Sequence, residues 1–171
     1  MKKKLISLVL ALSLGVGLAV PAAASGYQPV TELSYSVPAK TFQDVKGGDW
    51  YYGNLTLLVR AGGIDGYEDG LFRPNGGLKL CEFVKMVVAL MYPHALPDFA
   101  GVTFGGEALW YGPYVGAAEA VGLLEGVGHT KQALEANVNR YNMAVILTNA
   151  LKLRGETLER DKDLQYFIND Y

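Results

Sequence analysis

Residues 62–83 read Gly-Gly-Ile-Asp-Gly-Tyr-Glu-Asp-Gly-Leu-Phe-Arg-Pro-Asn-Gly-Gly-Leu-Lys-Leu-Cys-Glu-Phe, and this stretch is the most informative part of the chain. Its six glycines and one proline predict a compact loop, while the apolar residues among them are too many for a disordered linker. A helix is expected to end at Ala61, with Gly62 as the left-handed residue after it, and another to begin near Leu80. The stretch therefore predicts a unit of helix, ordered loop and helix.

The N-terminus has the pattern of a secretory signal peptide. Three lysines at positions 2–4 precede an uncharged apolar run over 5–20, and small residues follow as far as Ala24. The run is shorter than the roughly 20 residues that a membrane span needs, and no stop-transfer charge follows it directly. We therefore predict a signal peptide over 1–24, a secreted mature chain and no membrane span after cleavage.

The remaining composition excludes several function classes. Removal of residues 1–24 takes away three lysines and no acid, which leaves 12 basic against 17 acidic groups and a net charge of −5. Nucleic acid is not an expected partner, because its binding needs a basic surface. The single cysteine, Cys81, excludes an internal disulfide and is expected to be a small buried apolar residue. Residues 25–41 contain two prolines and no sustained period, which predicts a linker.

Helical patterns frame the loop on both sides. Asp49 is a suitable N-cap for a helix that runs to Ala61. The next helix carries apolar residues at spacings i, i+3, i+4, i+7 and i+8, namely Phe83, Met86, Val87, Leu90 and Met91. These residues predict a continuous stripe that faces the core.

A second copy of this pattern follows at a constant offset of 60 residues. The offset relates Trp50 to Trp110, Gly62 to Gly122, Gly66 to Gly126, Leu78 to Val138 and Phe83 to Met143. It also relates the apolar stripe to Ile146, Leu147, Ala150 and Leu151. Self-similarity of this kind indicates a repeat architecture, and we assign one repeat to residues 42–92, a second to 99–153 and the start of a truncated third to 164–171.

The first copy resembles the S-layer homology repeat. That motif opens with Phe-x-Asp-Val, continues with Trp and Gly-Ile-Ile-x-Gly-Tyr-x-Asp-Gly-x-Phe-x-Pro, and closes with Ile-Thr-Arg-Ala-Glu-Phe. Here Phe42–Val45, Trp50, Gly63–Pro74 and Glu82–Phe83 fill these positions. The resemblance implies a mainly α fold of tandem helix-loop-helix repeats in a pseudo-threefold arrangement, which this chain would leave incomplete. It also implies that grooves between repeats bind pyruvylated secondary polysaccharides of the bacterial cell wall.

The closing Thr-Arg-Ala-Glu segment is altered in both copies. Its threonine and glutamate form a capping box in the family pattern. The first copy has Lys79 at the cap and keeps Glu82 three residues later, whereas the second has Asn139, a good cap, without the glutamate. Each defect is expected to cost about 1 kcal/mol of helix stability. The family arginine is replaced by Leu80 in the first copy and retained as Arg140 in the second.

The sequence contains few of the side chains that catalytic sites use. Serine is absent after Ser36, and the two histidines, His94 and His129, fall in predicted loops. Two histidines and one cysteine without close spacing make a poor zinc site, and Gly76 replaces the glutamate that would end a calcium loop from Asp65. We predict no enzymatic activity, no cofactor and no metal.

A cell-wall attachment module is the leading hypothesis. A guanidinium and helix N-terminal amides suit a ketal carboxylate, and a tryptophan ring suits a sugar face. The candidate ligand-binding residues implied by the resemblance are Trp50, Gly66, Glu82, Trp110, Gly126 and Arg140. The alternatives are a structural or self-associating envelope protein without glycan binding, and the N-terminal fragment of a larger surface protein or exoenzyme. In each case we expect the protein to be attached to the cell wall or the S-layer.

The equal spacing of Trp50 and Trp110 predicts that both rings join the two helical stripes in one core, and a ligand contact for the same rings stays open beside it. Two repeats without a third would leave apolar faces uncovered, which predicts self-association.

Overall fold

The computed structural model describes residues 26–104 and 106–156. Within these ranges there are five α-helices and one 3₁₀ helix: α1 Tyr52–Arg60, α2 Leu80–Met91, the 3₁₀ helix Leu96–Phe99, α3 Gly112–Val121, α4 Lys131–Glu135 and α5 Arg140–Leu153. The described part contains isolated bridges but no strand, which confirms the predicted mainly α class. The repeat boundaries and the pseudo-threefold arrangement stay predictions. The predicted signal peptide and third-repeat start lie outside the described residues.

The two halves begin their helices in the same register. α1 and α3 start at Tyr52 and Gly112, and α2 and α5 start at Leu80 and Arg140, so both pairs are 60 residues apart. None of the helices in the described ranges has the length and apolarity that a membrane crossing requires.

The first helix of each half ends on a left-handed glycine. Gly62 has φ +79° and its N–H donates to the carbonyl of Val59 at 3.0 Å, while the next N–H donates to Leu58 at 2.9 Å. Gly122, with φ +82°, repeats this arrangement. Both are Schellman motifs, which use glycine because a Cβ is unfavourable at positive φ. The predicted role of Gly62 is confirmed.

The predicted N-cap of α1 is wrong. α1 begins at Tyr52, and its N-cap position is Tyr51, which makes no side-chain cap bond. The Asp49 carboxylate instead accepts hydrogen bonds from the N–H of Lys46 at 2.8 Å and from the hydroxyl of Tyr51 at 3.1 Å. Asp49 thus closes a turn before the helix, because aspartate side chains readily bond to nearby backbone groups outside helices.

The main core is built around α2. This helix packs against α3, α4 and α5, and α3 also packs against the 3₁₀ helix. The most deeply buried side chains of this core are Leu80, Cys81, Val84, Val88, Tyr92, Tyr111, Val115, Val121, Leu123, Leu134 and Ile146. Cys81 is therefore a buried apolar residue, as predicted, and burial raises the pKa of its thiol.

The predicted stripes are only partly correct. Phe83 and Val87 are buried in α2, but Met86, Leu90 and Met91 are half-buried. In α5 the prediction is wrong for two positions, where 48% of Leu147 and 42% of Leu151 are exposed. The difference follows from position, because α2 has three helical neighbours whereas the main helical neighbour of α5 is α2.

α1 belongs to a separate, smaller cluster. Leu55 and Val59 are buried with Phe42. Val45, Tyr51, Ile64 and Phe72 pack around these three residues and are only partly buried. The first loop therefore rests on this small cluster rather than on the main core.

Two further connections fix the halves relative to each other. The segments 78–80 and 136–138 pair through hydrogen bonds from Leu80 N to Ala136 O at 3.0 Å and from Val138 N to Leu78 O at 2.8 Å. This short pairing places the starts of α2 and α5 side by side.

The predicted linker has no regular structure but is bound to the helices. Its backbone N–H groups at Val30 and Val37 donate to the carbonyls of Met91 and Arg60 at 2.8 and 3.1 Å. The hydroxyl of Tyr27 also donates to Asp98 at 2.6 Å. The described part of the segment therefore acts as a strap across the ends of α1 and α2.

Candidate functional site

The first loop is held closed by one carboxylate and one ring. The Asp44 carboxylate accepts hydrogen bonds from the backbone N–H groups of Phe72 at 2.9 Å and Arg73 at 2.7 Å, and these bonds lower the pKa of Asp44. The ring of Phe42 lies against Gly66, so closely that a Cβ on this glycine would overlap it. The Phe-x-Asp spacing of the opening motif therefore serves the loop that follows 20 to 30 residues later.

A groove of about 940 Å³ lies between the first loop and the second half of the chain. The loop lines it over 63–69, 72–74 and 76–78, and α2 contributes Glu82, Lys85 and Met86. Trp110 reaches it from the turn before α3. The groove thus combines backbone-rich loop surface, acidic side chains and aromatic faces in one open site.

The charged groups of the groove are mostly paired with each other. Its lining contains four acids and two bases: Asp65, Glu68, Asp69, Glu82, Arg73 and Lys85. The ammonium of Lys85 forms an ion pair with Asp65 and also contacts the carbonyl of Gly63 at 3.3 Å. The guanidinium of Arg73 lies 2.6 Å from Asp69 and 4.3 Å above the ring of Tyr67. Four acids against two bases give this groove a net charge of −2.

The structure brings together three of the six predicted site residues. Gly66, Glu82 and Trp110 line the groove, whereas Trp50, Gly126 and Arg140 do not. Gly66 and Gly126 share a left-handed conformation, with φ +70° and +78°. The two tryptophans occupy equivalent turns, but only the second one faces a loop of the described chain.

The prediction that both tryptophans are core residues is wrong. Trp50 is 91% and Trp110 57% exposed. Each meets the following tyrosine edge to face, at centroid distances of 5.5 and 5.4 Å. The tyrosines turn inward instead, and burial together with a hydrogen bond to Glu135 raises the pKa of Tyr111 to about 12. Because both helices begin two residues after the tryptophan, its side chain lies outside the helical stripe.

The two major helix starts differ as the sequence predicted. Glu82 accepts a hydrogen bond from the N–H of Lys79 at 2.7 Å, which supplies half of a capping box, since a lysine ammonium has no lone pair to complete the other half. Asn139 accepts one from the N–H of Asn142 at 2.7 Å. The family arginine position is buried at Leu80, which is 1% exposed, but is exposed at Arg140.

Sequence reasoning missed the roles of Asp44, Lys85 and the Arg73–Tyr67 stack. Asp44 had a usable signal, because it belongs to the motif that opens the repeat. Lys85 had none, since a lysine on a helix between buried positions resembles any solvated residue.

The second loop is held by different contacts. Thr130 caps α4 by accepting a hydrogen bond from the N–H of Ala133 at 3.3 Å. The side-chain amide of Asn149 donates to the carbonyls of Leu123 and Glu125 at 3.1 and 2.9 Å. These contacts take the place of the hydrogen bonds that Asp44 accepts in the first loop.

His129 ties the second loop to α3. Its Nε2 lies 2.6 Å from Glu119 and its Nδ1 lies 2.8 Å from the carbonyl of Val127. The bond to Glu119, helped by the carbonyl, raises the pKa of His129 above its ordinary value, while burial works against this shift. Within the described ranges, no three His, Cys, Asp or Glu side chains come together as a metal site.

Comparison with known proteins identifies the first half. Residues 41–79 match the family model of the S-layer homology domain. The chain is also similar to the S-layer protein sap of Bacillus anthracis and to an S-layer protein of Bacillus thuringiensis subsp. finitimus, with 28% and 27% identity over 95% of this chain. It spans 19% of the length of each of these relatives. An amylopullulanase of Thermoanaerobacterium thermosulfurigenes matches at 24% identity over 77% of this chain and 7% of its own length.

These similarities agree with the loop and helix starts described above. The matched residues 41–79 begin beside Phe42 and end at the cap of α2, so they contain Phe42, Asp44 and the whole first loop. The domain and the S-layer relatives together indicate a secreted protein attached to the cell wall or S-layer. Over residues 41–79 the chain thus carries a match to the S-layer homology domain, and along most of its length it is similar to S-layer proteins.

Proposed function

We propose that this protein is a non-catalytic attachment module that holds a pyruvylated secondary polysaccharide of the bacterial cell wall. The observation that carries the proposal is the groove in which the first loop faces Trp110. A surface anchor of this family needs such a site, because a polysaccharide is recognised by flat apolar faces and by polar groups spaced along an open surface.

The groove suits the uncharged part of a sugar chain. The exposed ring of Trp110 and the ring of Tyr67 offer apolar faces, and the carboxylates of Glu68 and Asp69 can accept hydrogen bonds from sugar hydroxyls. Because the groove is net negative and both of its cations are engaged in ion pairs, a ketal carboxylate would be repelled here rather than bound.

Arg140 is the proposed contact for that carboxylate. It is the first residue of the 14-residue helix α5 and it is exposed, so the chain places a solvent-accessible cation next to the positive end of a helix. In the described part of the chain, no carboxylate forms an ion pair with Arg140. Polysaccharide binding is therefore divided between an acidic groove with aromatic faces and a separate cationic contact.

A specific observation favours a second candidate, a structural envelope protein without glycan binding. The first copy has lost the family arginine to a buried leucine, so only one of the two copies keeps the cationic contact. The low coverage of the S-layer relatives and the match to an amylopullulanase also fit a module that belongs to a larger surface protein or exoenzyme.

The test is retention on purified cell walls before and after chemical removal of the secondary polysaccharide. We expect retention on intact walls and loss of it on stripped walls. Arg140→Ala should weaken retention at least tenfold, and rising salt should weaken the parent, because the contact is partly screened. Lys152→Ala is the matched control, since Lys152 is an exposed base on the same helix.

Equal retention of the protein on intact and stripped walls would overturn the glycan proposal. Equal retention of the Arg140→Ala variant and the parent, at unchanged melting temperature, would overturn the assignment of Arg140 alone.

A further inference from the structure

The tyrosine that follows each tryptophan is held by a different acceptor in the two halves. Tyr51 donates to the carboxylate of Asp49 at 3.1 Å, two residues before it in the same turn. Tyr111 donates to the carboxylate of Glu135 at 3.0 Å, 24 residues later at the end of α4. The offset of 60 residues places Leu109 at the position of Asp49, and a leucine side chain cannot accept a hydrogen bond. The second half therefore takes its acceptor from α4.

The ring that packs beside the tyrosine changes in the same way. In the first half the ring of Phe72, which belongs to the first loop, has its centroid 6.1 Å from that of Tyr51. The equivalent residue of the second loop is Gln132. The ring of Phe104, which precedes α3, lies 5.8 Å from that of Tyr111 instead. The second loop thus contributes a carboxylate to its tyrosine where the first contributes a ring.

α4 is a firm support for this carboxylate. Leu134, the residue before Glu135, is 0% exposed in the main core, and α4 packs against α2. The ion pair between Lys131 and Glu107 also joins α4 to the segment before Trp110. Both of its side chains are exposed, at 43% and 61%, so solvent screens this pair and it contributes little. The hydrogen bond from Tyr111 is therefore the stronger polar connection between α4 and this segment.

The ring of Tyr111 passes this support on to Trp110. Only 2% of Tyr111 is exposed, and its ring meets the ring of Trp110 edge to face, at a centroid distance of 5.4 Å. Because burial and the bond to Glu135 raise the pKa of Tyr111 to about 12, its hydroxyl remains a donor near neutral pH. Trp110 lines the groove although 57% of it is exposed. An exposed ring that is held in place loses less conformational entropy when a ligand binds.

We propose that Glu135 is a positioning residue for polysaccharide binding: it fixes the ring of Tyr111, which holds the ring of Trp110 in the orientation that faces the groove. Glu135 does not belong to the lining of the groove, so it would act without touching the ligand. The inference rests on the proposed function in assigning Trp110 to the polysaccharide. The support that Glu135 gives to Trp110 does not depend on any ligand.

The first test measures the motion of Trp110 without a ligand. In a Trp50→Phe background Trp110 is the only tryptophan, since the chain has two. Glu135→Ala should increase the amplitude of the nanosecond decay of its fluorescence anisotropy about twofold, because Tyr111 loses its acceptor. Tyr111→Phe should have the same effect. Combining the two changes should add nothing further, since both remove one hydrogen bond.

Two further variants separate this hydrogen bond from a general loosening of α4. Glu135→Gln keeps a side-chain oxygen that can accept from Tyr111, so it should decay like the parent. Gln132→Ala is the matched control, because Gln132 is exposed on the same helix, and it should also decay like the parent. If Glu135→Ala loses the helical circular dichroism of the parent, Tyr111→Phe decides the question in its place.

Three results of this test would overturn the positioning role. The first is an unchanged decay in both Glu135→Ala and Tyr111→Phe. The second is an equal increase in Gln132→Ala, and the third is a Glu135→Gln variant that decays like Glu135→Ala.

The second test is retention on purified walls that carry the polysaccharide. Glu135→Ala should weaken retention about fivefold, as the loss of one hydrogen bond predicts, and Glu135→Gln should be retained like the parent. Unchanged retention of Glu135→Ala, with Trp110 more mobile, would overturn the role of Glu135 in binding. Equal retention of the parent on intact and stripped walls would overturn the proposed function and this role with it. The anisotropy would then still decide whether Glu135 holds Trp110.

Discussion

The two halves of the chain use the same helix starts but stabilise their loops in different ways. The second loop lies on the main core through Leu134 and Asn149. The first loop lies on a cluster of only three buried residues and depends on the contacts of Phe42 and Asp44. The difference shows that a loop can keep its shape with little core beneath it when a short motif before the helix supplies a ring and a carboxylate.

The largest expected effect is on the stability of the core. Phe83→Ala should lower the free energy of unfolding by about 3–5 kcal/mol, because it leaves a cavity beside α2 in the main core. Phe42→Ala should cost less, about 1–3 kcal/mol, since the small cluster can open locally without global unfolding. Urea denaturation of both variants measures the two losses in free energy of unfolding. A loss below 1 kcal/mol for Phe83→Ala would contradict its place in the core.

The two left-handed glycines provide a sharper comparison of the loops. Gly66→Ala should destabilise by more than about 2 kcal/mol, because the positive φ adds to an overlap with Phe42. Gly126→Ala meets Val145 at 3.7 Å, an ordinary contact, and should cost about 1 kcal/mol from backbone strain alone. If the two variants lose the same free energy of unfolding, Phe42 does not hold the first loop.

The helix framework could be predicted from the sequence because its signals are local and repeated. Gly62, Glu82 and Asn139 act at helix ends as expected, and the 60-residue offset correctly located both helices of each half. The predictions that were wrong concern burial, which depends on neighbouring helices that the spacing of residues in the sequence does not reveal. The stripes in α5 and α2 are both apolar, but α2 packs against α3, α4 and α5 whereas the main helical neighbour of α5 is α2, so more of the α2 stripe is covered.

The candidate site could be predicted only in part for the same reason. Gly66, Glu82 and Trp110 meet in the groove because the pairing of segments 78–80 and 136–138 fixes one half against the other. A spacing rule assigns equal roles to Trp50 and Trp110, since both precede a tyrosine and a helix. Their different surroundings arise because only Trp110 has a loop of the preceding half beside it.

The caps of α2 and α5 should differ by a smaller amount. Asn139→Ala should cost about 1 kcal/mol, because it leaves the N–H of Asn142 without its side-chain acceptor. Lys79→Ala is the matched change at α2 and should have little effect, while Lys79→Thr should stabilise by up to about 1 kcal/mol through a complete capping box. Thermal melts of the three variants measure these changes in stability. A loss of about 1 kcal/mol or more for Lys79→Ala would contradict the conclusion that Lys79 contributes little as a cap.

The smallest expected effect is the pH dependence contributed by the second loop. Since the folded pKa of His129 is raised above its ordinary value of 6.5, its contribution to stability is fully present below about pH 6.5 and is lost as the pH rises through the folded pKa. Both His129→Gln and Glu119→Gln should remove this decrease. Urea denaturation at several pH values between 5 and 8 measures how the free energy of unfolding depends on pH. If the free energy of the His129→Gln variant falls with pH as steeply as that of the parent, another group is responsible.

The most direct measurement for the proposed attachment function follows Trp110 during ligand binding. In a Trp50→Phe variant it is the only tryptophan, and it lines the groove. We predict that purified secondary wall polysaccharide changes its fluorescence saturably, at the concentrations at which the protein is retained on walls. Retention on polysaccharide-bearing walls with no change in the emission of Trp110 would contradict the claim that the groove holds the ligand.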